Sequence, residues 1–410
     1  MSKIKIKNFG PIKEGYKDED GNEWMDIKKV TVFIGNQGSG KSTVAKVIST
    51  MVWIEKALNR GDIDTFHLTK ADFFDLFEYQ RIHNYFRENT IIEYFGDRAT
   101  IEFNNKQAHP EFQLIFDSHY DVPQIMYVPA ERNFLSTVHN AFDVKGLPGS
   151  LFEFAEEVKK AQFALNGNKL NLPISGLQFR YDKRKDESYL VGNDYEINLL
   201  EASSGYQSLI PLYLVTHFLS DYIDKGDKTL REHLSPSQSV RRNSEIAEIS
   251  LDTTLSEKEK QRKMNDIDAK YLSKCLINIV EEPEQNLFPV SQQQLLNSLL
   301  AFNNINSGNK LIMTTHSPYL VTGITLAVKA NELKQRVNSD ELRNRLNSIV
   351  PLNSTVNPKD LAIYELDETD GSIKKLGNFE GIPSDKNFLN KFLRKGNQRY
   401  DSLLEIEEEL

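Results

Sequence analysis

Three glycines, a lysine and a serine hydroxyl fall together in Gly35-Asn36-Gln37-Gly38-Ser39-Gly40-Lys41-Ser42, a spacing suited to holding a polyphosphate. Glycines let successive backbone N–H groups turn inward on an anion, Lys41 can reach the β- and γ-phosphates, and Ser42 can ligate Mg²⁺. A second set of groups lies far downstream. Glu281 and Glu282 are adjacent carboxylates, one able to hold a metal, often through water, and the other able to face an attacking water. His316 stands in Thr315-His316-Ser317-Pro318, where an imidazole either meets a γ-phosphate or serves as a satisfied structural residue.

Particular elements must position these groups. Residues 30–34 form an apolar run before the loop, and Thr43-Val44-Ala45-Lys46-Val47-Ile48 reads as the helix after it. That strand–loop–helix context separates a phosphate-binding loop from a chance glycine-rich turn. Residues 275–280 are a near-continuous apolar run of the kind buried in a parallel sheet, ending at Glu281, and residues 310–315 predict a further strand ending at His316. Open α/β sheets bind ligands beyond the carboxyl ends of their strands. The strand predicted at 125–128 ends in Pro129-Ala130-Glu131-Arg132, a charged pair that reads either as ligand-facing or as a structural ion pair.

Elsewhere, residues 3–9 alternate as a half-buried first strand, Gly10-Pro11 breaks it, and residues 25–34 carry the next strand pair into the loop. From Thr43 to about Tyr94 the pattern predicts helix, with Phe73, Phe74, Phe77, Tyr79, Tyr85 and Phe86 forming core or a partner face. Strands are expected at 99–103 and 112–116, an amphipathic helix at 152–165, and short strands at 177–181, 189–191 and 195–199. The charged turn 182–186 reads as solvated, with contact to nucleic-acid phosphates as the alternative. Residues 201–208, with Ser203-Ser204-Gly205, read as another glycine-containing helix start, followed by an apolar helix from Leu209 to about Ile223, and residues 224–274 turn polar, as an insertion of exposed helices does.

With 39% hydrophobic and 27% charged residues and a net charge of −9, the 410-residue chain has an ordinary soluble composition and no general affinity for nucleic acid, although a local basic face is compatible with it. The lone Cys275 rules out a disulfide framework within the chain, and no apolar stretch is long enough for a signal peptide or membrane span, so a cytoplasmic location without membrane partners is expected.

Taken in order, loop 35–42, Ser203-Ser204-Gly205, the strand ending in Glu281-Glu282-Pro283-Glu284 and Thr315-His316-Ser317-Pro318 resemble the head of an ABC-type ATPase. More closely they are similar to its RecF, SMC and OLD (overcoming lysogenisation defect) branch, which includes ATPases of bacterial anti-phage systems. Asn8-Phe9-Gly10-Pro11 and the continuation to Asn286-Leu287-Phe288-Pro289 also match that branch. The resemblance covers residues 1–50, 125–132, 200–220 and 272–325. It implies an α/β fold, a P-loop NTPase of ABC-ATPase head type with a helical signature lobe, binding ATP and Mg²⁺. Gly35, Asn36, Gln37, Gly38, Ser39, Gly40, Lys41, Ser42 and Thr43 would hold the nucleotide. Glu281 would join Ser42 on the metal, Glu282 would be the general base and His316 the switch histidine. Ser203, Ser204 and Gly205 would cap the γ-phosphate bound to a second subunit, in a homodimer or higher even oligomer with ATP at its interface. Glu281 stands where Asp is usual, and Ala202 and Tyr206 depart from the common signature, so slow or conditional hydrolysis is expected. Gln124 is the candidate for the Q-loop glutamine. The expected divisions are an ATP-binding lobe at 1–130 with a helical, aromatic-rich insertion at 50–95, a signature lobe at 131–271 with the polar insertion 224–274, the rest of the ATP-binding lobe at 272–380, and a charged tail at 381–410.

These readings lead to an ATP-hydrolysing switch that dimerises around ATP and controls a separate effector protein, in anti-phage defence. The alternative is a RecF- or SMC-like repair or recombination ATPase with nucleic acid as its partner, for which the sequence offers scattered basic clusters such as residues 391–395. After His316, residues 362–366 and 373–376 predict a β-hairpin whose Asp367 and Asp370 form the turn, and no nuclease is expected. A GTPase or small-molecule kinase fits worse, because Asn357-Pro358-Lys359-Asp360 has the wrong spacing for a guanine-specificity motif.

Overall fold

The computed structural model describes residues 2–63, 65, 68–115, 120–225, 236–252 and 254–408. Its centre is a seven-stranded sheet in the order Gly15–Tyr16, Ser372–Lys375, Leu361–Leu366, Val30–Gly35, Lys310–Thr315, Cys275–Glu281 and Pro123–Val128. The last five are parallel, and Ser372–Lys375 returns antiparallel to Leu361–Leu366, as the expected hairpin. Asp367 accepts from the backbone N–H of Thr369, and Asp370 from that of Ser372, so both shape the turn.

Val30–Gly35 is buried along its whole length, which explains its unbroken apolar sequence. Val30, Val32 and Ile34 face one core, shared with Leu209, Leu212 and Leu296. Phe33 points into a second core, with Val44, Val47 and Ile48 of helix Lys41–Arg60. Register fixes which residues meet at the sheet's carboxyl edge: Thr315 pairs with Ile34, Glu281 with Thr314, and Val280 with Val128.

The second core is closed by a five-stranded sheet in the order Met25–Asp26, Lys3–Phe9, Phe86–Phe95, Ala99–Asn104 and Glu111–Leu114, antiparallel throughout. Here the helical reading of residues 50–95 is corrected. Helix persists to Arg60 and returns briefly at Lys70–Asp75, but Phe86–Phe95 is a ten-residue strand. Alternating burial of Thr90, Ile92 and Tyr94 against the first strand outweighed the helical spacing of the aromatics. Of those aromatics Phe73 and Phe77 are core, fully buried, with Phe73 stacked on Phe103 at 4.7 Å between ring centres, whereas Tyr85 is exposed. Phe116, at the end of an expected strand, lies outside the described residues.

Opposite the loop helix sit Gly149–Ala164, a four-stranded antiparallel sheet, helix Ser204–Lys225 and helices Pro289–Asn304 and Pro318–Arg336. The polar insertion contains two helices, Pro236–Leu251 and Glu257–Tyr271, joined by an Arg242–Asp268 ion pair. Arg241 ties the first of them to Asp62, just beyond the loop helix. Residues 226–235 and 253 of that insertion, and 409–410 of the expected tail, lie outside the described residues. No helix among the described residues is long and apolar enough to cross a membrane.

Candidate nucleotide site

Gly35, Gly38 and Gly40 all adopt positive φ. At Gly35 the space also requires glycine, since a Cβ there would lie 2.5 Å from the Leu366 carbonyl oxygen; one on Gly40 would meet Ile12 Cδ1 at 2.5 Å. The second contact gives the amino-terminal Gly10-Pro11 motif a physical role. It turns the chain so that Pro11 and Ile12 brace the loop from below, with Pro11 Cγ 3.0 Å from the same Cβ position. Asn36, Gln37 and Gly38 are exposed, and Asn36 Nδ2 donates to Glu368 Oε1 at 2.8 Å.

Lys41 is buried and donates to the carbonyls of Gly35 (3.1 Å) and Asn36 (2.7 Å). Burial brings its pKa down to about 8, against the opposing pull of Glu282, Glu284, Glu368 and Glu281. Ser39 Oγ is buried with no partner among the described residues. The Ser42 hydroxyl donates to Glu281 Oε2 at 2.9 Å, so the longer glutamate arm spans the distance to the loop. Thr43 is buried at the start of the helix.

Glu281 and Glu282 are neighbours in opposite environments. Burial raises the Glu281 pKa, and its second oxygen accepts a hydrogen bond from Tyr127. Glu282 is half-open, its Oε1 lies 3.3 Å from His316 Nε2, and that contact holds its pKa below the ordinary range. Its backbone has φ +43°, a left-handed conformation costly for a side-chain-bearing residue. The strained residue is held at both ends, by its own N–H on the Thr314 carbonyl (3.0 Å) and by Arg132 Nη2 on its carbonyl (2.6 Å).

Arg132 settles the Glu131-Arg132 question differently from either expectation. It is fully buried and spends its guanidinium on main-chain carbonyls: Ser208 (3.1 Å), Pro129 (3.3 Å), Glu281 (2.7 Å) and Glu282 (2.6 Å). Burial lowers its pKa to about 10, which leaves it a cation. Glu284 carries a role that the sequence does not announce. Its carboxylate accepts from Thr315 Oγ1 and the His316 N–H, both at 2.7 Å, and so fixes the turn that carries His316.

Gln124 does not belong to this edge. It pairs with Leu276 at the amino end of its strand and accepts from Ser273 Oγ, so it is corrected as a Q-loop candidate. Ser203 and Ser204 are exposed at the start of helix Ser204–Lys225. Gly205 packs onto the turn after Glu284: a Cβ there would lie 2.8 Å from the Asn286 carbonyl oxygen, and Asn286 Nδ2 donates to Ser208 Oγ at 3.1 Å. Among the described residues, no hydrogen bond or ion pair joins Ser203 or Ser204 to loop 35–42.

Residues 145–321 match the family described as AAA ATPase domain. That span is less than half of the chain, and it takes in the Ser203 segment, Glu281, Glu282 and His316 but not loop 35–42. No curated protein matches the chain. Among solved structures, the SMC head domain from Thermotoga maritima is 10% identical with a TM-score of 0.38, covering 92% of this chain and 98% of its own. An Smc head domain bound to the C-terminal domain of ScpA, derived from Pyrococcus furiosus, is 10% identical with a TM-score of 0.38, covering 98% of this chain and 100% of its own. A dimeric ATP-binding cassette bound to ADP and Pi is 14% identical with a TM-score of 0.28, covering 92% of this chain and 100% of its own. Strand order and the strand–loop–helix at 30–60 make the fold α/β with a P-loop at the carboxyl edge of its central sheet and a helical lobe beside it.

The residues fit a magnesium nucleotide. Loop glycines shaped for close approach, a buried Lys41 ammonium and the unpartnered Ser39 hydroxyl suit a polyphosphate. The Ser42 hydroxyl and Glu281 carboxylate, 2.9 Å apart, are the hard oxygen donors that Mg²⁺ takes.

Proposed function

We propose that the protein is an ATP-hydrolysing switch that closes as a homodimer, or a higher even oligomer, around ATP. The observation that carries this reading is the opposite tuning of Glu281 and Glu282 beside Ser42 and His316. Adjacent carboxylates with pKa values pushed apart take different roles. Glu281 with Ser42 would hold Mg²⁺, whose chemistry is to screen charge on the phosphate oxygens. Glu282, kept ionised by His316, takes the proton of a water as that oxygen bonds the γ-phosphorus. The bond from phosphorus to the bridging oxygen then breaks, giving ADP and phosphate. Lys41 offsets charge on the β- and γ-oxygens, and His316 meets the γ-phosphate. Ser203, Ser204 and Gly205 present a helix start outward, for the nucleotide of a second copy.

We assign the switch to control of a separate effector protein in the anti-phage setting implied by the sequence resemblance. Supporting this, the chain after His316 goes on building the ATPase core, since residues 361–366 and 372–375 complete the central sheet. Complementation tests the dimeric site. Lys41→Ala damages the site on its own subunit, whereas Ser203→Arg damages its neighbour's, so each homomer should be inactive. In a mixed dimer both lesions fall on one composite site, and up to about half the activity should return if the sites fire independently. No recovery, with mixed dimers shown to form, would contradict independent composite sites. Pull-down of the full chain then separates an effector protein from nucleic acid as the partner.

A further inference from the structure

A cavity of about 270 Å³ lies beside helix Lys41–Arg60, away from the loop, where residues 75–80, strand Pro123–Val128 and helix Gly149–Ala164 come together. Ser49, Thr50, Gln80 and Tyr127 line it and are themselves buried. Gln80 is 2% exposed and donates from Nε2 to Ser49 Oγ at 3.3 Å, while its Oε1 is buried with no partner among the described residues. A buried amide oxygen without a donor is costly, and it marks a place for a ligand N–H. Trp53, 43% exposed, offers an aromatic face, and the charged residues of the lining, Asp75 and Glu153, are both acidic. Burial raises the Glu153 pKa and the hydrogen bond from Tyr79 at 2.6 Å offsets this; Glu156 and Glu157 push it further up, while Lys160 pulls it down.

We propose that this cavity binds a guanidinium-bearing ligand. The planar cation would stack on Trp53, its fork of N–H donors would meet Gln80 Oε1, and Asp75 and Glu153 would supply the countercharge. A guanidinium of this kind comes either from a free small molecule or from an arginine side chain of a partner. Tyr127 connects the site to catalysis, because the residue lining the cavity also donates its phenol to Glu281. That connection rests on the ATPase reading; the binding does not.

The test uses the full chain carrying Trp24→Phe, which leaves Trp53 as the sole tryptophan. n-Butylguanidinium is the probe, and n-butylurea its neutral counterpart. Expected is a saturable change in Trp53 fluorescence with the cation, and affinity at least about ten-fold weaker for the urea. Gln80→Met and, on the solvent side, Asp75→Asn should each weaken binding several-fold, the second covering the case in which the first fails to fold. A peptide with one central arginine that competes with the probe identifies a partner's side chain as the source; binding of the free cation without competition identifies a small molecule. At saturation, ATP turnover should change by about five-fold. No saturable response, or an equal response to the urea, overturns the site. Binding with unchanged turnover overturns the connection through Tyr127. Because fluorescence needs no turnover, a chain that binds the probe but fails to hydrolyse ATP would contradict the ATPase reading alone.

Discussion

The loop edge and the Ser203 edge of this molecule are finished to different degrees. At the loop edge four charged groups have partners in the same chain: Lys41 on the Gly35 and Asn36 carbonyls, Glu281 on Ser42 and Tyr127, Glu282 on His316, and Arg132 on main-chain carbonyls. At the Ser203 edge the helix start is rigidly placed, with Gly205 against Asn286, yet Ser203 and Ser204 are exposed. A helix start holds unsatisfied N–H groups and a partial positive charge. Fixing it precisely while leaving it open is what a surface awaiting an anion on another copy requires. The difference is the one that the proposed dimeric site calls for, in which one chain builds the chemistry and a second would complete the cap.

The largest effect that would break this contrast is at Lys41. Lys41→Ala should abolish ATP binding by calorimetry and reduce hydrolysis to background, because it removes the ammonium facing the β- and γ-phosphates. Wild-type turnover in this variant would remove the loop from the account. Next, Glu282→Gln should bind ATP but hydrolyse it at least about 10²-fold more slowly in single-turnover assays. Should Glu281→Gln give the larger hydrolytic defect and Glu282→Gln behave normally, the two carboxylates exchange roles.

Arg132→Met sharpens the contrast between supporting and reacting groups. It strips the donors from four carbonyls, three of those bonds buried, and should cost about 3 kcal/mol of stability in urea unfolding. A stability close to wild type would mean that those carbonyls find other partners.

The smallest effect concerns pH. Burial holds the Lys41 pKa at about 8 in the free protein, and bound phosphates would raise it. A group that binds its proton more tightly in the complex favours binding below the free pKa. ATP affinity should therefore be full below about pH 8 and weaken above it, approaching ten-fold per pH unit. The dissociation constant measured between pH 7 and pH 9.5 checks this, and a flat profile in that range contradicts it.

What was legible in the sequence was local. Loop 35–42 carries its glycines, lysine and serine side by side, and the strands ending at Glu281 and Thr315 announce themselves as apolar runs. Their meeting at one edge follows from parallel pairing, which the strand–helix alternation already implied. The remainder depends on groups distant in sequence. Arg132 serves carbonyls 149 and 150 residues away, and Tyr127 reaches Glu281 across 154. Neither residue type announces such a role, and a buried arginine among carbonyls leaves no pattern to read. Phe86–Phe95 was missed for another reason: its alternation begins amid aromatics spaced as on a helix, and the tie was broken by the first strand, some eighty residues earlier.

The central claim, that a second copy completes the site, is tested most directly by the mass of Glu282→Gln in solution, measured by light scattering with and without ATP and Mg²⁺. The account predicts a mass that doubles on adding ATP, and a doubling lost when Ser203→Arg is introduced into the same chain. A mass unchanged by ATP in a variant shown to bind it, or an ATP-dependent dimer indifferent to Ser203→Arg, would contradict it.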